Sequence, residues 1–281
     1  MMTVEEMKAK KKALGLSNAK IAELSGLPIG TVQKVFSGET KAPRFKTLAA
    51  IEAVLQSVGQ GMATGSKVAE EAFSYQVSEK DVNMPAGKRQ GEFTLEDYYN
   101  MPEDWRGELI DGCLYQLNAP SLPHQHYTAM MYHEVMKCKE EHGMPCWPFM
   151  SPAGVQLDRD EKTFLLPDFL IVCDPEKVIR RCVYGAPDFV AEVLSPSTRK
   201  RDRTLKAYKY ANAGVREYWM IDEDGGTVVV YDFEHDAPTK IYSIHDEVPI
   251  GISDGLCVID FGKFTDQIKG FVSETPPPGW E

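Results

Sequence analysis

Two carboxylates stand where the sequence otherwise asks for hydrocarbon: Asp168 at the head of the apolar run in LLPDFLIV, and Glu192 inside PDFVAEVLS. Strand alternation puts Phe189, Ala191 and Val193 on one face and Val190, Glu192 and Leu194 on the other. An unpaired, ionised carboxylate in such surroundings is costly, so Glu192 is expected to be neutralised, paired or bound to a cation. Asp168 lies 24 residues earlier, which leaves room for a connection that brings the two strands together. Two carboxylates on neighbouring strands could share one divalent ion, and all-oxygen ligands suit Mg²⁺ or Mn²⁺. Phosphodiester hydrolysis then needs a positive group near the scissile bond. Counting along a helix from Thr198, Asp202 and Lys206 fall four apart on one face, so Asp202 can orient Lys206, the candidate electrophile, toward the acids. Bland readings stand beside this one: Asp168 as a turn aspartate, Glu192 paired with Arg199 or Lys200, and Asp202 with Lys206 as a solvated pair.

The elements that must position these groups read as α/β with a mixed central sheet flanked by helices. FTLEDYYNM reads as a helix, GELIDGCLYQL as strand and turn, and HQHYTAMMYHEVMKCKEEHG as a helix closed by Gly143. The runs FLLPDFLIVC and PDFVAEVLS read as strands, followed by a helix from about Thr198 to Ala213 ending at Gly214. REYWMID and TVVVYDF then flank the turn EDGG.

Residues 1–58 are different in kind, a set of short helices joined by Gly- and Pro-containing turns. A Gly-, Ser- and charge-rich stretch, 59–91, reads as a linker, 92–270 as the larger domain, and 271–281, with its Pro run, as an extended tail. The formal charge of −11 divides unevenly: residues 1–56 hold nine Lys and Arg against five Asp and Glu, or +4, and the remainder holds 22 against 37, or −15. A basic segment on an acidic chain hints at a polyanionic partner. No run approaches a membrane span and no secretory signal is visible, which makes the cytoplasm the expected compartment and a membrane partner unexpected. Six scattered cysteines, without CxxC or zinc-like spacing, read as reduced structural thiols.

NAKIAELSGLPIGTVQKVFSGE has a helix, a tight turn at Gly26, and a second helix whose Val32, Val35 and Phe36 can pack on Ile21, Ala22 and Leu24. It resembles the helix-turn-helix of Cro-like, XRE-type repressor domains. That resemblance implies double-stranded DNA as partner, with Thr31, Gln33 and Lys34 facing the duplex. Gln pairs well with adenine, and Lys serves guanine or a phosphate. Such modules commonly meet two half-sites, so a homodimer is expected.

From about Phe93 to Asp260 the chain resembles the Uma-type family of restriction-endonuclease-like PD-(D/E)XK proteins. The resemblance is carried in order by TLEDYYNMPED, ELIDG, the helix opening at HQ, PD, EVLSPST and D…K…Y…GVREYWMID. It implies a restriction-endonuclease-like fold, metal-dependent DNA cleavage, Asp168 as the PD aspartate, and Glu192 as the second acidic ligand. The usual lysine two residues after the acid falls on Leu194, and the family's migrated lysine corresponds to Lys206. The implied site has Asp168, Glu192 and the Val193 carbonyl holding Mg²⁺ or Mn²⁺, with Glu108 and His124 in support. Pro187-Asp188, a second PD, lies too close to Glu192 to be the preferred ligand. A regulator whose nuclease-like domain has lost its chemistry, and only dimerises or binds a ligand, is the alternative that Leu194 keeps open.

Overall fold

The structure, a computed structural model, describes residues 2–59 and 87–273. Its first four helices are α1 (Val4–Ala13), α2 (Asn18–Ser25), α3 (Ile29–Ser37) and α4 (Phe45–Gly59). The first two starts have a local cause. Thr3 and Glu6 form a reciprocal cap on α1, Ser17 caps α2, and Gly26, at φ 70°, ends α2 in a left-handed turn. Met7, Ile21, Val32, Val35, Ile51 and Leu55 close the core between them.

Beyond Gly87 come α5 (Leu95–Tyr99), the hairpin β1 (Gly107–Ile110) and β2 (Cys113–Gln116), then the long helix α6 (Leu122–His142). Asp111 and Gly112 make the hairpin turn with positive φ at both residues, which is why ELIDG ends in Asp-Gly. The strands β3 (Trp147–Met150), β4 (Val155–Gln156), β5 (Phe169–Val172), β6 (Val183–Tyr184) and β7 (Phe189–Val193) follow. Next is one helical rod: α7 (Arg199–Arg201), a wider π turn (Asp202–Lys206) and α8 (Ala207–Ala213), closed at Gly214. The expected helix is present, but the π turn inside it was not foreseen. The chain continues through β8 (Glu217–Asp222), β9 (Thr227–Asp232), β10 (Lys240–Ser243), β11 (Glu247–Pro249), β12 (Val258–Asp260) and α9 (Phe261–Lys269).

The main sheet runs β10-β9-β8-β7-β5-β3, with β7 and β8 parallel and every other pair antiparallel. A parallel pair needs a crossover, and the rod of α7, the π turn and α8 supplies it. Both faces of the sheet are covered, so its central strands are buried throughout. Phe169, Ala191, Val193 and Trp219 pack under α6 and α9. Leu170, Val190, Leu194 and Tyr218 face the crossover rod and the hairpin β1–β2. The alternation read from PDFVAEVLS is the one observed.

The two parts of the chain meet through aromatic packing. Phe45, at the start of α4 and 5% exposed, stands edge-on to Tyr231 at 5.0 Å and to Phe233 at 4.9 Å between ring centres. Arg44 lies 3.5 Å from Asp236, and the Thr239 hydroxyl donates to the Pro43 carbonyl at 3.3 Å. The expected linker, 59–91, falls outside the described residues over 60–86, as does 274–281 of the expected tail. Its last residues are tied to the hairpin: Gly91 N donates to Gly112 O at 2.8 Å, and the Gln90 amide bonds both N and O of Leu114.

The cysteines require a correction. Cys138 is bonded to Cys257 and Cys146 to Cys173, while Cys113 and Cys182 are free thiols. The reason lies in tertiary placement. Trp147 pairs with Val172, so the next rung sets Cys146 opposite Cys173, and α6 carries Cys138 to the segment preceding β12. Spacing along the chain carries no trace of either. Among the described residues no helix is long and apolar enough to cross a membrane.

Candidate active site

Phe169 pairs with Ala191 in the antiparallel ladder of β5 and β7, so the preceding rung puts Asp168 opposite Glu192 on the same face. Asp168 is held there by its own backbone neighbourhood: its Oδ2 accepts the Val193 N–H at 2.8 Å and lies 3.0 Å from His124 Nε2. His124 stands in the first turn of α6, which Ser121 caps through the His124 N–H. Burial works against a charged imidazole, but the bond to Asp168 and the charges of Asp168, Asp202 and Glu223 outweigh it. The result holds His124 above its ordinary 6.5.

Glu192 is 3% exposed, and it is not bare. Its Oε1 accepts the Tyr210 hydroxyl at 2.7 Å and lies 2.6 Å from Lys206 Nζ. Lys206, also 3% exposed, reaches Glu108 Oε1 at 2.9 Å and Asp202 Oδ1 at 3.6 Å. Glu108 has no exposed surface; its Oε1 accepts the Leu166 N–H at 3.1 Å, and its Oε2 lies 3.9 Å from Arg201 Nε. Arg201 in turn covers the Tyr115 ring at 4.7 Å. Asp202 is expected as the orienting partner of Lys206, but two closer acids share that part, Glu108 and Glu192. The solvated pairing of Asp202 with Lys206 is overturned by the burial of both.

Burial raises Glu192 well above the usual carboxylate range; Lys206 opposes this, while Asp168, Asp202 and Glu108 add to it. For Glu108, burial works in the same upward direction, but Lys206 and Arg201 prevail and hold it below that range. Asp202 is raised, chiefly by burial. Lys206 is pushed up despite burial because Glu108, Glu192 and Asp202 surround it. Lys206 and Glu108 therefore form the ion pair of the cluster, and Glu192 is the acid whose charge is least supported.

These groups line a cleft of about 570 Å³ at the end of β7, walled also by Arg106 and the Ser195–Thr198 loop. Six acids of the lining, Glu108, Asp168, Glu192, Asp202, Glu223 and Asp224, outnumber its cations Arg106 and Lys206, and two buried oxygens, Glu108 Oε2 and Asp202 Oδ1, accept no hydrogen bond among the described residues. An excess of carboxylate oxygen fits a hard dication. No group of three or more His, Cys, Asp or Glu side chains is arranged around one ion position among the described residues.

Arg199 does not serve Glu192. Its guanidinium bonds Asp222 at 2.9 Å and Asp224 at 2.8 Å. Asp188, of the second PD, accepts the Cys173 N–H at 2.7 Å and faces Arg216 at 3.5 Å, outside the cleft's lining. On α3, Val32 and Val35 are buried, Gln33 and Lys34 are exposed and Thr31 is half-buried; Lys34 lies 3.3 Å from Glu39. Tyr210 and Arg201 are the cluster members that sequence reasoning missed. Tyr210 follows Lys206 by four residues, so the helix-face argument that joined Asp202 to Lys206 extends to it.

A mixed sheet with a parallel central pair, acids meeting at its strand ends, and a lysine on the crossover helix together define a nuclease-like α/β domain preceded by a helix-turn-helix module. The family model described as "Putative restriction endonuclease" (Uma2) matches residues 95–252, over half of the chain, and a helix-turn-helix model matches 7–58. The chain belongs to the Uma2 family. A relative from Synechocystis sp., "Uncharacterized protein slr1290", is 27% identical over 172 residues, covering 58% of this chain and 89% of that protein. The crystal structure of "a putative nuclease belonging to DUF820" from Anabaena variabilis aligns with a TM-score of 0.51 at 20% identity. That alignment covers 61% of this chain and 98% of the other, a likeness of fold.

Proposed function

We propose that this protein is a divalent-metal-dependent DNA endonuclease, carried to duplex DNA by its helix-turn-helix module. One observation supports the reading above the others: Asp168 and Glu192 occupy facing rungs, with the Lys206 ammonium 2.6 Å from Glu192. In this reading Asp168, Glu192 and the Val193 carbonyl hold Mg²⁺ or Mn²⁺. When bound, such an ion lowers the pKa of a water and screens phosphate charge. His124 restrains Asp168 through Nε2, Glu108 holds the Lys206 ammonium in place, and Lys206 stabilises negative charge that develops on the scissile phosphate. The +4 balance of residues 1–56 supplies the long-range attraction that the −15 remainder lacks. Gln33 and Lys34, with Thr31, meet the duplex, and cutting both strands calls for two copies of the chain.

The test is plasmid nicking in Mg²⁺ or Mn²⁺. Nicking is expected from the native chain and is expected to vanish in Asp168→Ala and Glu192→Ala with circular dichroism unchanged. Equal activity in those variants refutes the assignment.

A DNA-binding regulator without hydrolytic chemistry is the second reading. It is favoured by Leu194 at the usual lysine position and by the engagement of Lys206 with Glu108 and Glu192. Calorimetry with Mn²⁺ separates the two, since the regulator predicts no binding that depends on Asp168 and Glu192.

A further inference from the structure

Among the described residues, Glu192 receives its donors on one side only. The Tyr210 hydroxyl at 2.7 Å and the Lys206 ammonium at 2.6 Å converge on the same oxygen, Oε1. Both side chains come from one face of the crossover rod, Lys206 ending the π turn and Tyr210 standing in α8. Glu192 lines the cleft and its Oε1 is already occupied, which leaves Oε2 as its oxygen for a cleft ligand.

The two donors do different things. Lys206 has competing acceptors in Glu108 and Asp202, and its flexible stem can follow either. A phenol has a short, stiff side chain. The Tyr210 ring is fully buried, packed at 5.1 Å from Tyr218, whose own hydroxyl is anchored on the Asp202 carbonyl at 3.1 Å. A neutral donor also orients a carboxylate without cancelling the charge that a metal needs, as the partners just outside a metal's ligands commonly do.

We infer that Tyr210 is a positioning residue: by pinning Oε1 of Glu192 it fixes Oε2 as the oxygen presented to a divalent cation in the cleft. The inference rests on the reading of Asp168 and Glu192 as a metal pair.

Calorimetric titration of the full-length chain with Mn²⁺ alone tests it. Tyr210→Phe keeps the ring and its packing, which circular dichroism checks, and is expected to bind Mn²⁺ about 10- to 100-fold more weakly than the native chain. Tyr218→Phe removes a neighbouring buried hydroxyl that bonds backbone instead, and is expected to leave the affinity as it is. In a Glu192→Ala background, exchanging Tyr210 for Phe is expected to change nothing, because no carboxylate remains to orient. Native and Tyr210→Phe chains binding Mn²⁺ equally would overturn this inference alone. A native chain that binds no Mn²⁺ overturns the metal reading and this inference with it. Equal weakening in Tyr218→Phe, or the same loss on top of Glu192→Ala, would mark Tyr210 as a packing residue and overturn its positioning role.

Discussion

Removing the Lys206 ammonium should cost the metal-free protein more than any surface charge could. In Lys206→Met the stem keeps its apolar contacts, but Glu108 loses a partner at 2.9 Å, Glu192 one at 2.6 Å and Asp202 one at 3.6 Å. All three acids are at most 3% exposed, so water from the cleft replaces little of what is lost. Breaking a buried pair by taking one partner away typically costs about 3–5 kcal/mol. At roughly 2–4 °C per kcal/mol for a domain of this size, the melting temperature should fall by about 6–20 °C. The pH dependence has a definite sign. Glu108 is held below its ordinary range, so its contribution is present above about 4.5 and is lost as pH falls through its depressed folded value. Lys206 is raised, so its own contribution is full below about 10.4 and does not change across neutral pH. The Glu108 part of the deficit should therefore shrink in acid, while Glu192 and Asp202, both raised by burial, take up protons at higher pH than Glu108 and relieve their part first. Urea denaturation followed by circular dichroism measures it. Adding Glu192→Gln to Lys206→Met removes one carboxyl left without its ammonium partner and should recover part of the loss. A deficit below about 1 kcal/mol, the range of a surface pair, or no recovery in the double variant, refutes the buried-cluster argument.

Three further outcomes are expected. His124 is raised above 6.5 by Asp168, so its stabilising share is full below that value and fades as pH climbs through its folded value; the melting-temperature gap between native and His124→Gln should be wider at about pH 6 than at about pH 9. Phe45→Ala empties a nearly closed aromatic site and should cost about 3–5 kcal/mol, with calorimetry expected to show separate transitions for the helical module and the sheet domain, against a joint one expected of the native chain. Lys34→Ala should weaken binding to every duplex and lower the slope of log affinity against log salt by about one, as loss of a phosphate contact does; an unchanged slope would assign Lys34 to a base.

Much of this arrangement was legible in the chain before any coordinates. Alternation along FVAEV put Glu192 on the face that does in fact carry Val190 and Leu194 toward the crossover helix. The apolar runs around Asp168 and Glu192 read as strands with room to lie side by side, but the facing rung of the two acids is set by strand register, which strands buried on both faces do not spell out. Helix spacing found Asp202 and Lys206. What stayed hidden depends on contacts between distant segments. Glu108 reaches Lys206 across 98 residues, and only the hairpin's docking against the rod makes the pair. The sulfur bridges depend on strand register and helix placement in the same way. The π turn has no local signature at all in RKRDRTLKAY. Tyr210 is within reach of the spacing argument, four residues after Lys206, but spacing alone does not separate a core tyrosine from a donor to Glu192, and it is both.

The seat of Phe45 has a practical side. A helix-turn-helix is an attractive part to exchange when a protein is to be sent to a new address, but here the opening turn of its last helix doubles as a lid on the Tyr231 and Phe233 rings. A replacement module spliced in at the natural-looking break after residue 58 would strip that lid and leave two aromatic faces bare to solvent, inviting aggregation. A chimera that retains Pro43, Arg44 and Phe45, and changes only the exposed side of α3, keeps the seal while altering the surface proposed to meet DNA.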